Sequence, residues 1–169
     1  GNDSIDGGAG SDTLSFAGGS NVVLSITDYG NQAGVVSGQG TDQFSRIESL
    51  VGATGTDVLR GTQGDNSTNE VLTITGSNSG TMADAAGSGS FSFNSFEQAD
   101  LAGGNDVLRI SGSGSLSGTA DGGEGSDLLD YSDYSDSGVV VDLSTGQASA
   151  INLGAAEGLV ANDLGFSSF

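Results

Sequence analysis

Short apolar clumps recur along the whole chain, and each is bounded by glycine, serine, asparagine or aspartate. None is long enough for a helix, and this alternation of apolar clumps and turn-forming residues is typical of strands joined by tight turns. Only 81–87 and 154–163 are weak helical candidates. The pattern predicts an all-β protein, with strands in "TLSF" (13–16), "NVVLSI" (21–26), "IESLV" (47–51), "DVLR" (57–60), "EVLTI" (70–74), "SFSF" (90–93), "DVLRI" (106–110), "DLLDY" (127–131) and "GVVVDL" (138–143).

The clumps belong to internal repeats. A shift of 49 residues aligns 44–60 with 93–109 without a gap, and a shift of 115 aligns 7–14 with 122–129; 153–160 resembles a third copy of the first phrase. Repeats of a turn and a strand favour a solenoid, in which each coil covers the apolar face of its neighbour. We therefore predict one elongated domain, a right-handed parallel β-helix or β-roll over 1–169 with units of about 1–60, 61–109 and 110–169. An antiparallel β-sandwich is the alternative.

The net charge of the chain limits which partners it can bind. The net charge is −19, from 22 acidic and three basic residues. A chain with so few cations cannot match the phosphates of a nucleic acid or an anionic membrane, so neither is an expected partner. Carboxylates this dense repel one another and call for a neutralising partner. Arg60 and Arg109 occupy equivalent repeat positions, and we expect each to pair with a neighbouring carboxylate.

The residue types that the sequence lacks exclude further classes of function. The sequence has no cysteine and no histidine, which excludes thiol nucleophiles, Ser-His-Asp triads and the common zinc sites. It has no apolar run of 18 residues, so we expect no membrane insertion by this segment. The chain starts inside a motif, at "GND", which predicts a fragment of a longer protein.

Two stretches combine glycines with an aspartate: "GGAGSDTLS" (7–15) and "GGEGSDLLD" (122–130). Glycine adopts positive φ without steric cost, so such a turn can bring carbonyl oxygens together, and the aspartate adds a carboxylate. Ca²⁺ takes 6–8 such oxygen ligands in irregular geometry. A metal-free turn is the alternative. The candidate calcium ligands are Asp3, Gly7, Gly8, Gly10, Asp12, Asp57, Asp106, Gly122, Gly123, Gly125 and Asp127.

Both stretches resemble the calcium-binding nonapeptide G-G-x-G-x-D-x-U-x of RTX proteins at every defined position. The resemblance implies a β-roll in which two nonapeptides form one coil and calcium lies between stacked turns. It is strict over only about 30 residues, because 55–60 and 103–109 keep just the second half of the motif. The looser repeats are similar to segments of large bacterial adhesins and filamentous-haemagglutinin-like outer-membrane proteins, which implies an extracellular or cell-surface location.

We therefore expect a non-enzymatic, calcium-binding structural module, folded by Ca²⁺ outside the cell, with an adhesive or spacer role. A surface glycan or neighbouring repeat modules are its candidate partners. One alternative is a polysaccharide-active enzyme on a parallel β-helix, for which Tyr29, Tyr131, Tyr134 and the arginines would have to supply the base. The other is a carbohydrate- or ice-binding module, although "TGSNSGT" (75–81) is one fragment and no Thr or Asn ladder recurs.

Overall fold

The computed structural model describes residues 1–37, 40–64, 67–135, 139–142 and 147–153. This part of the chain contains strands and turns and no helix, so the prediction of an all-β protein is confirmed. The helical candidate 81–87 is wrong, because its first four residues belong to the strand Ser79–Asp84 and the other three lie in the turn that follows. The candidate 154–163 lies outside the described residues.

The described strands are short. In chain order they are β1 Ser4–Asp6, β2 Thr13–Ser15, β3 Val23–Asp28, β4 Ala33–Ser37, β5 Thr41–Ser45, β6 Ser49–Val51, β7 Val58–Arg60, β8 Glu70–Gly76, β9 Ser79–Asp84, β10 Ser90–Asn94, β11 Gln98–Asp100, β12 Gly103–Gly104, β13 Val107–Ile110, β14 Thr119–Asp121, β15 Glu124–Gly125, β16 Leu128–Asp130, β17 Val141–Asp142, β18 Gln147–Ala148 and β19 Ile151–Leu153.

These strands form two main sheets and a two-stranded pair. The large sheet has ten strands in the order β1-β5-β4-β3-β7-β11-β14-β19-β18-β17, and the small sheet has seven in the order β16-β13-β8-β9-β10-β6-β2. Strands β12 and β15 pair separately. Along the sequence the chain crosses back and forth between the two main sheets, so each sheet is built from segments that are distant in sequence.

Both main sheets are mixed. Strands from successive visits to a sheet pair in parallel, as in the β3-β7-β11-β14 ladder. Three antiparallel meanders interrupt these ladders: β3-β4-β5, β8-β9-β10 and β17-β18-β19. The sheets are therefore neither the uniform parallel ladder of a β-helix nor a uniformly antiparallel sandwich. Tight hairpins produce the antiparallel pairs. Gln32 (φ 42°) and Asn78 (φ 51°) reverse the chain in the first two meanders.

A single apolar core lies between the main sheets. Alternate residues of the longer strands are buried, including Leu24 and Ile26 of the large sheet and Leu72 and Ile74 of the small sheet. Phe91 is fully buried, and its ring meets Tyr29 and Phe44 edge to face at centroid distances of 5.8 and 6.3 Å. The expected core positions of the repeats are buried: Phe44, Ile47, Phe93 and Phe96.

The two copies of the 49-residue repeat lie on opposite sheets. In the first copy (44–60) the chain passes from β5 of the large sheet through β6 of the small sheet to β7 of the large sheet. In the second copy (93–109) it passes from β10 of the small sheet through β11 of the large sheet to β13 of the small sheet. Matching backbone geometry accompanies the repeat, since the equivalent residues Arg46 and Ser95 both have positive φ, 56° and 59°.

Candidate metal centre

The residue just before a parallel strand stacks on the equivalent residue of the next coil, and the strand register fixes these stacks. On the small sheet, Val71, Val107 and Leu128 are register partners. The preceding residues Glu70, Asp106 and Asp127 therefore form a line across β8, β13 and β16, which we name the small-sheet column. The corresponding line before β3, β7 and β11 is the large-sheet column, Val22, Asp57 and Glu97.

In the small-sheet column, the carboxylates of Asp106 and Asp127 each accept a hydrogen bond from the backbone of the coil before. The Glu70 N–H donates to Asp106 Oδ1 at 2.6 Å, and the Asp106 N–H donates to Asp127 Oδ1 at 3.0 Å. The exposed fractions of the three residues are 0%, 1% and 4%. An unpaired buried N–H is costly, so one role of these acids is to cap the strand starts. This is the metal-free role that the sequence left open.

The large-sheet column repeats the same bonding with fewer acids. The Val22 N–H donates to Asp57 Oδ1 at 2.7 Å, and the Asp57 N–H donates to Glu97 Oε2 at 2.8 Å. Glu97 also accepts a bond from Asn78 Nδ2 at 3.0 Å. Asp57 and Asp106, equivalent in the repeat and predicted together as ligands, are therefore on different sheets.

The two full nonapeptides do not meet. Residues 7–12 lead into β2 and residues 122–127 into β16, and these strands are the opposite edges of the small sheet. At the β2 edge, the Asp12 N–H donates to Glu48 Oε2 at 2.7 Å, while a Cβ atom added at Gly8 or Gly10 would meet nothing within 4 Å. Asp3 is exposed, and its N–H donates to Asp42 Oδ1 at 2.9 Å.

The second nonapeptide stacks on a degenerate turn instead. Turn 121–127 lies on turn 100–106, with Gly103–Gly104 paired in parallel to Glu124–Gly125. A Cβ atom at Gly125 (φ 133°) would overlap the carbonyl oxygen of Gly104, so only glycine permits this approach. Gly122 and Gly123 belong to the same turn. This is the one place in the described chain where the predicted ligands Asp106, Asp127 and the glycine turn come together.

Several buried carboxylate oxygens have no hydrogen-bond partner: Asp12 Oδ2, Asp57 Oδ2, Glu70 Oε2 and Asp106 Oδ2. The arginines do not neutralise them, because Arg46 pairs with Asp6, Arg60 with Asp100 and Arg109 with Asp130. The expected pairing of Arg60 and Arg109 is thereby confirmed.

Electrostatics single out the small-sheet column. Burial raises the pKa of Asp106 to about 8, and the charges of Glu70 and Asp127 add to this effect. Burial also raises the pKa of Glu70, against the hydrogen bonds that it accepts from the backbone N–H and the hydroxyl of Thr62. Carboxyl groups in this setting hold a proton or require a cation.

The stacked turns fit Ca²⁺ in donor type. They offer carboxylates and closely approaching main-chain oxygens, the hard ligands that Ca²⁺ prefers. Within the described ranges, however, no three acidic side chains converge into a metal-binding group. Carbonyl oxygens and water would therefore have to complete the coordination of any ion held by Asp106 and Asp127.

Sequence reasoning missed three acids that the structure places beside the predicted ligands: Glu48, Glu70 and Glu97. Glu48 and Glu97 are aligned in the repeat, yet nothing local shows that they reach the backbone of an aspartate about 40 residues away. Glu70 had a usable signal, because "NEVL" (69–72) echoes "NDVL" (105–108).

Comparisons with protein-family models, with curated proteins and with solved structures found no match. Membership of the RTX proteins therefore stays a prediction. No helix in the described part of the chain is long and apolar enough to cross a membrane.

Proposed function

We propose that this chain is a calcium-stabilised structural module of a large secreted or surface-exposed bacterial protein of RTX type, with a spacer or adhesive role. In this proposal the fold is a β-solenoid whose parallel ladders are interrupted by meanders, and Ca²⁺ lies at the stacked turns 100–106 and 121–127. Asp106 and Asp127 would hold the ion together with main-chain oxygens.

The stacking of those two turns is the observation that supports the proposal most. It places a full nonapeptide directly on a second glycine turn, and the Asp106 N–H bonds to Asp127 between them. An ion there would also offset part of the repulsion within an acidic column that no arginine neutralises.

Thermodynamic linkage between calcium binding and folding gives the size of the expected stabilisation. An ion that binds only the folded chain stabilises it by RT ln(1 + [Ca²⁺]/Kd). Extracellular calcium modules have Kd values of about 10⁻⁴–10⁻³ M, so 10 mM Ca²⁺ adds about 1.4–2.7 kcal/mol per site. Such a module would be less stable in a calcium-poor cytoplasm than outside the cell.

Thermal unfolding followed by circular dichroism tests the proposal, with chelator, with 10 mM Ca²⁺ and with Mg²⁺ at the same ionic strength. We expect Ca²⁺ to raise Tm by several degrees and Mg²⁺ to raise it less. Asp127→Asn should lose most of the calcium-dependent shift. Asp133→Asn, which removes an exposed acid close by in sequence, is the matched control and should keep it.

Two results would overturn the calcium proposal. One is a Tm that is the same in chelator and in Ca²⁺. The other is an equal shift with Mg²⁺ or in Asp127→Asn, since that would reduce the effect to general screening of the net charge.

One observation favours a second candidate, a carbohydrate- or ice-binding face. The register aligns five hydroxyl residues in one row across the small sheet: Thr13, Ser49, Ser92, Thr81 and Thr73. Neighbouring strands lie about 4.8 Å apart, so the row is regularly spaced. The members of the row come from five separate strands, so the linear sequence does not show it.

A glycan array and an ice-affinity assay test this face. Thr81→Tyr would place a bulky ring in the middle of the row and should abolish binding. Thr41→Tyr, at an exposed position of the large sheet, is the control. Lack of binding by the wild-type chain in both assays would eliminate the candidate.

A further inference from the structure

A polar groove lies at the edge of the large sheet where β1, β3 and β5 end. Two open cavities form it, one of about 470 Å³ and one of about 350 Å³. Thr27 and Asp28, the last two residues of β3, line both cavities, so the two adjoin there. Both volumes fall in the range of small-molecule binding sites. The groove therefore has room for a ligand and is open to it.

The first cavity carries hydrogen-bond donors and acceptors side by side. Its lining includes Asp6, Asp28, Asn31, Ser45 and Arg46. Arg46 Nε donates to Asp6 Oδ1 at 2.7 Å, and Arg46 Nη2 donates to Asp6 Oδ2. A guanidinium has five N–H donors, so this ion pair leaves donors of Arg46 for a ligand.

Local hydrogen bonds hold these groups in place. Asp28 Oδ1 accepts the Asn31 N–H at 3.1 Å, and Asp28 Oδ2 accepts a bond from Asn31 Nδ2 at 2.6 Å. The Arg46 N–H donates to the carbonyl oxygen of Asn31 at 2.9 Å, which ties the loop after β3 to the residue after β5. Polar groups that are already fixed lose less entropy when a ligand binds. The first cavity is therefore preorganised.

The second cavity continues the same chemistry along the groove. Its lining includes Thr62, Gln63 and Asp84. Asp84 is fixed within its own turn, because it accepts bonds from the Ala86 N–H at 2.8 Å and from the Ser88 hydroxyl. Hydroxyl, amide and carboxylate groups thus follow one another on both sides of Asp28.

The mixed charge of the groove disfavours ionic ligands. Side-chain hydrogen bonds lower the pKa of Asp6, Asp28 and Asp84, so all three are ionised at neutral pH. An anion would meet these carboxylates, and a metal ion in the first cavity would meet the guanidinium of Arg46. A neutral molecule with several hydroxyl groups avoids both repulsions, because each hydroxyl can donate to a carboxylate or accept from an N–H.

The internal repeat shows that the fold does not require Arg46. Its equivalent in the second copy is Ser95, and the φ angles of the two residues are 56° and 59°. Positive φ is costly for a residue other than glycine, and serine meets the same backbone demand. The loop is also particular to the first copy, since 29–32 join β3 to β4 whereas only 77–78 join β8 to β9. Arginine and the longer loop therefore serve something other than the fold.

We propose that this groove binds a neutral oligosaccharide, with Arg46 and Asp28 as its main contacts and Thr27 at the junction of the two cavities. Neighbouring hydroxyls of a sugar ring match the paired oxygens of a carboxylate and the paired N–H groups of a guanidinium. The inference rests on the proposed function for the adhesive role, to which it adds a class of ligand. The groove is separate from the hydroxyl row, which lies on the small sheet.

An array of neutral and acidic oligosaccharides, read with Ca²⁺ and again with chelator, tests the groove. We expect neutral glycans to bind and glycans that carry carboxylate or sulfate groups not to bind. Calorimetry with a neutral glycan that binds then gives affinities for the variants. Arg46→Ser should weaken the affinity about tenfold or more, because it removes charge-assisted hydrogen bonds. Ser95 shows that serine adopts this backbone conformation.

Two further variants make the assignment specific. Thr27→Leu, at an exposed position of β3, replaces the hydroxyl at the junction with a larger apolar group and should weaken binding by a similar factor. It decides the question even if Arg46→Ser does not fold. Arg109→Ser removes an arginine that pairs with Asp130 on the other main sheet, and it should keep the wild-type affinity.

The outcomes separate the groove from the other proposals. No binding of neutral glycans by the wild-type chain, or an unchanged affinity in both Arg46→Ser and Thr27→Leu, overturns the groove. Binding that only Thr81→Tyr abolishes also overturns it and assigns the glycan to the hydroxyl row. Preference for acidic glycans overturns the neutral class of ligand.

Failure of the groove leaves the calcium-stabilised module standing, because the module is tested by the calcium-dependent Tm shift. Conversely, glycan binding that is lost in Arg46→Ser, in a chain whose Tm does not respond to Ca²⁺, would support the groove and overturn the calcium proposal.

Discussion

The two acidic columns have the same hydrogen bonding but different chemistry. Asp57 and Asp106 are equivalent in the repeat, and each accepts the N–H of the residue that starts the column, at 2.7 and 2.6 Å. That residue is Val22 in the large-sheet column and Glu70 in the small-sheet column. The difference leaves Asp57 beside an apolar neighbour, whereas Asp106 lies between two other acids.

This difference shows that capping and ion binding are separable roles of one motif. The backbone bond is made in both columns, so it needs only one carboxylate per coil. Glu70 adds a charge that the bonding pattern does not require, since a valine serves at the same position of the other column. We therefore place the functional interest of the molecule in the small-sheet column and treat the large-sheet column as its structural counterpart.

The largest expected effect comes from the glycines that precede the two aspartates, Gly55 and Gly104. Both have positive φ, 123° and 148°. A Cβ atom at Gly104 would overlap the backbone oxygen of Thr68, whereas at Gly55 it would meet the side chain of Asn21, which can move. We expect Gly104→Ala to cost about 3 kcal/mol or more and Gly55→Ala about 1–2 kcal/mol.

Chemical denaturation of both glycine variants, with the wild-type m-value as a reference, checks this order. Equal costs would mean that the two turns relax to the same extent. The backbone contact of Gly104 with Thr68 would then be no more rigid than the side-chain contact of Gly55 with Asn21.

The next effect is a pH dependence of stability that arises from the small-sheet column. Burial raises the pKa of Asp106 to about 8 in the folded chain, from 3.8 for an unperturbed aspartate. The folded state therefore binds this proton more tightly, and stability falls as the pH rises from about 4 to about 8. In calcium-free buffer we expect a loss of about 2 kcal/mol over this range, because neighbouring acids share the proton.

Urea denaturation at a series of pH values measures this loss. Asp106→Asn should flatten the curve, because the amide keeps the shape of the side chain and removes its charge. A decline of unchanged size in Asp106→Asn would assign the pH dependence to the remaining acids of the chain.

The smallest effect concerns the arginines at equivalent repeat positions. Arg109 lies 2.8 Å from Asp130, whose side chain is 15% exposed, and Arg60 lies 3.1 Å from Asp100, whose side chain is 32% exposed. Double-mutant cycles should give couplings of about 0–1 kcal/mol, with the Arg109 pair the stronger because its acid is less solvated. Both couplings should weaken in about 1 M salt. A stronger Arg60 pair would contradict the link between coupling and burial.

The apolar clumps predicted most single strands well. A strand such as β7 or β16 has a recognisable sequence pattern, with a leucine that is buried in the structure flanked by turn-forming residues. The middle strands of the meanders escaped prediction. In β9 only Met82 is buried, and its other residues are small or polar. Its extended conformation comes from β8 and β10 on either side, which a local pattern does not reveal.

The candidate site was also predicted only in part from the sequence. Glycine and aspartate in "GGEGSD" predicted a turn with converging oxygens, and Asp106 and Asp127 were both named from their motifs. Their pairing was not predictable, because turn 121–127 stacks on 100–106 and not on its closest sequence copy, 7–12. Glu70 was missed as a neighbour of Asp106, since it comes from a strand 36 residues earlier in the chain.

The sequence by itself determined the all-β class, the turn positions and the excess of acid over base, because each depends on residue type and local spacing. The tertiary structure alone decided which coils are neighbours, and therefore which carboxylates share a column. Register between sequence-distant strands sets those contacts, and the hairpins that divert the chain into meanders shift equivalent repeats onto opposite sheets. Three buried acids thus follow one another in the small-sheet column, while the large-sheet column carries a valine at the first of its three positions.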